Sequence, residues 1–371
     1  MNTLSRYTAL IISLLVIIAL CYFFSNIVGY VVIAWILSMI GQPLMVFFQT
    51  KIRIGKWSPG PNLAAAMILI SYLIIITLLV SLFVPLFIKQ ANNLAEANYE
   101  NIATALDEPI QHMNAWLAEY GLTEPGTVDT EEQLKKSFKL EEWFNPGFIG
   151  DIFSYALAAA GNLIIGMFSV IFITFFFLKE QGLFTNAVAV LVPSKYERQV
   201  RNAIESISRL LTRYFGGILL QMSIITIFVT IGLTLLGVKN ALLIAFFAAL
   251  INVIPYIGPI IGAAFGMFVT VSSNLDLNFY TEMFPLIIKV IVVFGLMQTL
   301  DNFVLQPFIF SNSVLAHPLE IFIVILMGAK LGGVTGMILA IPSYTVLRVI
   351  ARAFLSEFRI VQKITGSMRD I

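Results

Sequence analysis

Residues 241–271 read ALLIAFFAALINVIPYIGPIIGAAFGMFVTV, an uncharged stretch interrupted by Asn252 and then by Pro255-Tyr256-Ile257-Gly258-Pro259. At 1.5 Å per residue, one continuous helix here would be about 46 Å long. That is too long for one upright crossing of an apolar layer of about 30 Å, and too short for two crossings plus a turn. A straight helix does not accept two prolines and a glycine, because proline lacks the N–H that the ladder needs and its ring meets the preceding turn. The stretch is therefore either one broken span or a re-entrant helical hairpin whose tip is Pro255 to Pro259. Unwound backbone at membrane depth is tolerated only where it is buried in protein or faces water. The break thus marks either a packed interior or a pathway.

Working outward, the same pattern occurs twice. A full span is expected at 210–236, just before the broken stretch. A second apolar run, 283–310, is crossed by Lys289, Gln298, Asp301, Asn302, Gln306 and Pro307. It is followed by 319–349, again of ambiguous length and interrupted by Gly328, Lys330, Gly332, Gly333, Gly336 and Pro342. Paired, interrupted hydrophobic segments point to a transporter binding site between inverted repeats. Each break leaves backbone groups in need of partners, so the two are expected to pack tip against tip. If both stretches are hairpins, the fifth span exits, the first hairpin opens outward, the next span re-enters and the last hairpin opens inward. Eight full crossings would leave the C-terminal end on the same side, so length, not parity, favours hairpins.

The whole composition agrees with a bilayer. Of the 371 residues, 59% are hydrophobic and 12% charged, and mean hydropathy is +0.92. Soluble chains carry about 25% charged residues. Cys21 stands alone, which excludes an intrachain disulfide framework. Two histidines and one cysteine are a poor ligand supply for zinc, and no G-x-x-x-x-G-K-[ST] run is present to cradle ATP phosphates. No cofactor, metal or nucleic-acid partner is expected, and a membrane-embedded enzyme would want a cluster of His, Asp, Glu or Cys.

The net charge of +1 conceals a segregation. Residues 90–150 carry eleven Asp/Glu against three Lys/Arg, a net of −8, and everything else carries +9. Lys and Arg keep short loops on the cytoplasmic side. Arg6 precedes an apolar run at 8–24 that lacks a cleavage pattern and reads as a retained span. A second run, 30–48, ends in Lys51, Arg53 and Lys56, which puts that loop in the cytoplasm. A third, 63–88, delivers the acidic segment 89–150 outside, where two short helices are expected. A fourth, 152–178, returns to a basic stretch with Lys195, Arg198, Arg201, Arg209 and Arg213. The 3,4 spacing of Val200, Ala203, Ile204, Ile207, Leu210, Leu211 and Tyr214 predicts an amphipathic helix at about 196–213 along the inner leaflet. Arg348, Arg352, Arg359, Lys363 and Arg369 place the C-terminal end inside.

The expected architecture is an all-α, polytopic membrane bundle of about eight hydrophobic segments. It comprises three spans in 1–88, an acidic helical segment at 89–150 and a transport core at 151–371.

Arg213-Tyr214-Phe215-Gly216-Gly217, Asn252 through Pro259, Asp301-Asn302 ahead of Pro307, His317-Pro318, and Gly332 to Pro342 occur in this order. Together they resemble the autoinducer-2 exporter family of bacterial transporters, most specifically from about Lys179 onward. The resemblance implies homo-oligomeric inner-membrane proteins that export small molecules, with some members similar to sodium/proton antiporters.

Asp301 is the only acid deep in an apolar run, where insertion costs about 2.5–3.5 kcal/mol. It reads as a transport group or as one half of an ion pair, with Lys330 as the candidate partner. Lys289, nearer a span end, is expected to snorkel. Asn252 and Gln306 offer amides beside broken helices, either to a cation or hydroxylated solute or as inter-helix glue. The candidate pathway is therefore Asn252, Pro255, Gly258, Pro259, Asp301, Asn302, Gln306, Pro307, Lys330, Gly332 and Gly333. The expected function is gradient-driven export of a small polar solute, with a sodium/proton antiporter or a non-transporting scaffold as alternatives.

Overall fold

A computed structural model of the chain describes residues 19–20, 22–51, 59–95, 119, 165–274, 277–313 and 316–366. Nearly all of the acidic segment 89–150, most of the first expected span and residues 152–164 of the fourth lie outside the described residues, as does Cys21. The described residues are helical, with no strand among them.

In chain order the helices are α1 (Ser25–Lys51), α2 (Pro61–Ala95), α3 (Ile165–Lys179), α4 (Leu183–Val190), α5 (Glu197–Leu235), α6 (Ala241–Ile251) and α7 (Ile257–Ser272). They continue with α8 (Phe284–Leu300), α9 (Gln306–Ser313), α10 (Pro318–Leu355) and α11 (Arg359–Thr365). Short π-helical turns, Phe279–Met283 and Asp301–Leu305, flank α8 and join it to α9. Five helices among the described residues are long and apolar enough to cross a membrane, or six with the bent pair α3 and α4. The angle in that pair is 95°, and Gly182 at φ 85° makes the corner.

Two compact units divide the chain. One holds Met1–Ile75, Ala158–Thr212 and Val349–Ser356; the other holds Ile76–Leu157, Arg213–Arg348 and Glu357–Ile371. In the first, Met45 of α1, Ala64, Ala65 and Ile68 of α2 and Leu178 of α3 form a buried cluster. Trp35 stacks on Phe184 with ring centroids 4.1 Å apart.

The amphipathic stretch expected at 196–213, ahead of the fifth span, falls within one long helix. It is the start of α5 and runs into the span without a break. Val200, Ala203, Ile204, Ile207, Leu210 and Leu211 are all buried, so protein, not lipid, covers its apolar face. Arg201 pairs with Glu197 at 3.0 Å and Arg209 with Glu205 at 3.7 Å on the outer faces.

The second unit settles the ambiguous lengths. α6 and α7 have 11 and 16 residues, about 16 and 24 Å, so neither crosses an apolar layer of about 30 Å. They fold back on each other. A Cβ on Gly262 would lie 3.1 Å from Ala248 Cα, and one on Gly266 would lie 2.9 Å from Ile244 Cγ2. At the tip, a Cβ on Gly258 would strike the Ile251 carbonyl oxygen. Glycine every fourth residue thus lets two helix backbones approach closely, the small-residue packing favoured where lipid supplies no hydrophobic drive.

The 319–349 stretch is also a hairpin. α10 is interrupted at Gly332 (φ −148°, ψ 22°) and Gly333 (φ 57°, ψ −138°), the latter a conformation that glycine adopts without a Cβ penalty. Gly328 and Gly336 touch backbone to backbone, and Tyr344 Oη donates to Glu320 Oε2 at 2.8 Å nearer the base. A straight helix would hold 320 and 344 about 36 Å apart. Hence α10, although long enough for a span, does not cross as one.

α5 and the Phe279–Ile309 segment run antiparallel, as shown by close approaches of Gly217 to Ile309 and of Gly232 to Val293. Ile225, Val229 and Leu233 of α5, Ile244 and Ala248 of α6, Val269 of α7 and Val290 and Met297 of α8 share one core. A second cluster joins Tyr214, Ile254, Ile309, Ile321, Ile325, Ala340 and Ile341. Through it the first hairpin's break rests on the arms of the second hairpin, with Tyr256 edge-on to Phe322 at 5.7 Å. The expected tip-to-tip packing is not found. A Cβ on Gly332 or Gly333 would meet nothing within 4 Å. The arms already satisfy their backbone groups within each helix and bury small residues against each other, so the tips need no mutual contact.

Candidate functional site

Asp301 is completely buried and is the first residue of the π-helical turn between α8 and α9. The extra residue in such a turn shifts the side-chain register, so that residue i+5 lies over residue i. Accordingly the backbone N–H of Gln306 reaches the Asp301 carbonyl, and the Gln306 side chain donates Nε2 to Asp301 Oδ2 at 2.7 Å. An uninterrupted α-helix would turn Gln306 to a different face.

Two further amides complete the shell. Gln221, from the middle of α5, donates to Asp301 Oδ1 at 2.5 Å. Asn252, at the C-terminal cap of α6, donates to Oδ2 at 3.3 Å. Three neutral donors from three elements therefore hold one carboxylate. Asp301 makes no ion pair with Lys330, and no described cation pairs with it. The expected Asp301–Lys330 pair is absent because Lys330 is exposed near the second hairpin's tip, while Asp301 lies under the first.

From this centre a ladder of amides leads outward. Gln298 donates to Asn302 Oδ1 at 2.8 Å, and Gln306 reaches the same oxygen at 3.3 Å. Asn302 is exposed and Gln306 half-buried, so Asp301 is connected to the surface through one shared side chain. Two oxygens in the cluster, Asn252 Oδ1 and Gln298 Oε1, are buried without a hydrogen-bond donor.

Of the residues anticipated from sequence, Asn252, Asp301, Asn302 and Gln306 converge. Pro255, Gly258 and Pro259 build the adjoining break, where Tyr256 is held at φ 68°, ψ −46°. A tyrosine in that region is strained by its Cβ. Pro307 follows the π turn on its exposed side. Lys330, Gly332 and Gly333 stand apart on the other tip. Gln221 is not among the anticipated residues, although it is the one amide side chain in the uncharged stretch 214–238, which is a readable signal.

Another polar cluster closes the open end of the first hairpin. Gln90 of α2 donates to Ser272 Oγ at 2.9 Å, and its Oε1 accepts from Asn240 at 2.9 Å and from Ser273 at 3.1 Å. The end of α2 and the base of the first hairpin thus lie together.

A family model described as "AI-2E family transporter" matches residues 11–356. "Putative transport protein YrrI" of Bacillus subtilis (strain 168) is 26% identical over 279 residues, covering 73% of this chain and 72% of that protein. "Putative transport protein YueF" of the same organism is 29% identical over 217 residues, and the match spans 58% of this chain and 56% of YueF. "Putative transport protein MJ1177" of Methanocaldococcus jannaschii is 25% identical over 184 residues, half of this chain and 53% of that protein. The chain therefore spans little more than half the length of two of these relatives.

Proposed function

Because the chain belongs to the AI-2E transporter family, we propose that it is a gradient-driven secondary transporter exporting a small polar solute. The observation that carries this reading is the fully buried Asp301 carboxylate, held by amides from α5, from the break of a helical hairpin and from a π-helical turn. An acid at that depth is expensive to keep and marks a pathway or relay when no fixed cation offsets it. The neighbouring amides Gln298, Asn302 and Gln306 suit a hydroxylated solute, since each offers a donor and an acceptor. Lys330, Gly332 and Gly333, on the exposed tip of the second hairpin, line the path apart from the coupling carboxylate. The protein works as a homo-oligomer in a bacterial inner membrane, surrounded by lipid, with both termini in the cytoplasm and the acidic segment outside.

A second reading, sodium/proton antiport, is favoured by one feature: two buried amide oxygens of the cluster, Asn252 Oδ1 and Gln298 Oε1, have no donor and would be free to turn to a small cation. Purified protein in liposomes loaded with autoinducer-2 separates the two readings. Export accelerated by an imposed proton or sodium gradient supports the transporter. Proton movement on adding sodium alone, read by a trapped pH-sensitive dye, supports the antiporter. Neither response, in protein shown to be folded and inserted, removes both.

A further inference from the structure

Asn252 touches the Asp301 carboxylate with one end of its amide and leaves the other end unused. The residue is 4% exposed, Nδ2 donates to Asp301 Oδ2, and Oδ1 is buried with no donor. A buried oxygen that has given up its bonds to water without gaining a donor is costly to keep. It sits beside a carboxylate whose shell is made only of neutral donors.

We propose that Asp301 and Asn252 form a proton-binding pair whose hydrogen bond reverses direction when the proton arrives, so that Asn252 passes the protonation state of Asp301 to the first hairpin. This deepens the transporter reading and rests on it. With the carboxylate ionised, Asn252 Nδ2–H donates to Oδ2, as observed. With Oδ2 protonated, its O–H must donate, and Asn252, already bonded to Oδ2 through Nδ2, holds an unused acceptor, Oδ1, that a half-turn of the amide presents. The terminal torsion of asparagine is soft and roughly two-fold. Gln221 continues to donate to Oδ1 of Asp301, and the carboxyl group stays fully bonded. The proton comes from, and returns to, bulk water that reaches Oδ2 when half-buried Gln306 swings aside; Gln306 Nε2 donates both to Asp301 and to exposed Asn302 and relays no proton itself.

The half-turn has a consequence for the backbone. It trades an unpaired oxygen for an unpaired Nδ2 donor in the same buried place, and the break must shift to supply an acceptor. Asn252 caps α6, and strained Tyr256 lies four residues on, so the adjustable segment is adjacent. A sodium ion fits the present arrangement less well. It needs several oxygens turned inward, whereas the three amides aim N–H groups at the carboxylate. A proton needs one acceptor, which is already in place.

Other titratable groups leave the pair alone in its surroundings. From 214 to 272 the charged residue is Lys239, exposed at the base, and the tyrosines are Tyr214 and Tyr256. The adjoining segment carries Tyr280, Glu282 and Lys289, all exposed. On the second hairpin, Glu320, Tyr344 and Arg348 lie at the base and Lys330 at the tip. None of these bonds to Asp301.

The test uses the full chain in liposomes, with Cys21→Ser as background and no solute. Cysteine at Ile260, just past the break, is labelled with N-ethylmaleimide across a pH series and normalised to cysteine at Leu331 on the other tip. The expected change in that ratio is about tenfold, within the range of ordinary site-to-site coupling. It falls to about twofold or less in both Asp301→Asn and Asn252→Leu. Infrared difference spectra should show a carboxylic-acid carbonyl band that disappears in Asp301→Asn and shifts in Asn252→Leu, with Asn252→Ala replacing the leucine variant if that one does not fold. The proposal is overturned by a ratio that ignores pH, by one that follows sodium at fixed pH, or by a band unmoved in the Asn252 variants. Labelling and band as expected, with no autoinducer-2 export under a proton gradient, support the pair and sink the transporter reading. Export without the band does the reverse.

Discussion

Asp301 and Gly258 show how single side chains set this structure. Asp301 is buried among amides, so Asp301→Asn replaces a carboxylate by a near-isostere that is cheaper to bury. The variant is expected to fold and assemble, while gradient-driven export falls about tenfold or more, the factor corresponding to about 1.4 kcal/mol. Normal export in a folded Asp301→Asn protein would remove this residue from the mechanism. Since Lys330 is not its partner, combining Asp301→Lys with Lys330→Asp should not restore export; recovery would restore the ion-pair reading. Gly258 matters for a steric reason. Its Cβ position is occupied by the Ile251 carbonyl oxygen and stands 2.7 Å from Asn252 Cα, both backbone atoms that no side-chain rotation can move. Gly258→Ala should therefore destabilise the folded protein by about 1–3 kcal/mol, the usual scale for overpacking. Thermal unfolding in detergent measures it, with Gly216→Ala as control because nothing stands within 4 Å of that position.

At the scale of elements, the polar cluster is built by two departures from regular helix. The π turn Asp301–Leu305 brings Gln306 over Asp301. Inserting one alanine after exposed Val304 would put Gln306 six positions from Asp301, beyond what either an α or a π turn brings over it, and so rotate it away. The expected result is loss of export with helix content retained, measured by flux and far-ultraviolet circular dichroism on the same preparation. The hairpins are the other departure. Cysteines replacing Glu320 and Tyr344, whose side chains hydrogen-bond at 2.8 Å, should cross-link within one chain in the Cys21→Ser background. Failure of that cross-link across all conditions, with both cysteines reactive, would show that α10 runs straight through.

For the whole molecule, the informative contact is Gln90 with Asn240, Ser272 and Ser273, because it ties the end of the third expected span to the base of the first hairpin. Both must lie on one side of the membrane. If residues 90–150 are outside, a cysteine replacing exposed Lys239 should react with impermeant reagents from outside, like one replacing Glu131. Labelling of the two from opposite faces would break the crossing order. Gln90→Leu should also loosen the hairpin base, since it leaves buried Ser272 without its side-chain donor at a cost of about 1–3 kcal/mol.

Sequence by itself determined that this is a polytopic helical membrane protein, because apolar run length and the scarcity of charge reflect the cost of burying polar groups in lipid. It also marked where the helices break, because proline and glycine act on the local backbone whatever surrounds them. It singled out Asp301, Asn252 and Gln306 by the same economy of polar groups. Tertiary structure alone decided that both broken stretches double back, since periodicity reads the same for a kink and a reversal, and only the Gly262–Ala248 and Gly328–Gly336 approaches distinguish them. It alone also chose the partners of Asp301. A buried acid calls for donors, but whether Lys330 or the three amides supply them depends on which helices pack together, and that is a property of the fold, not of any window along the chain.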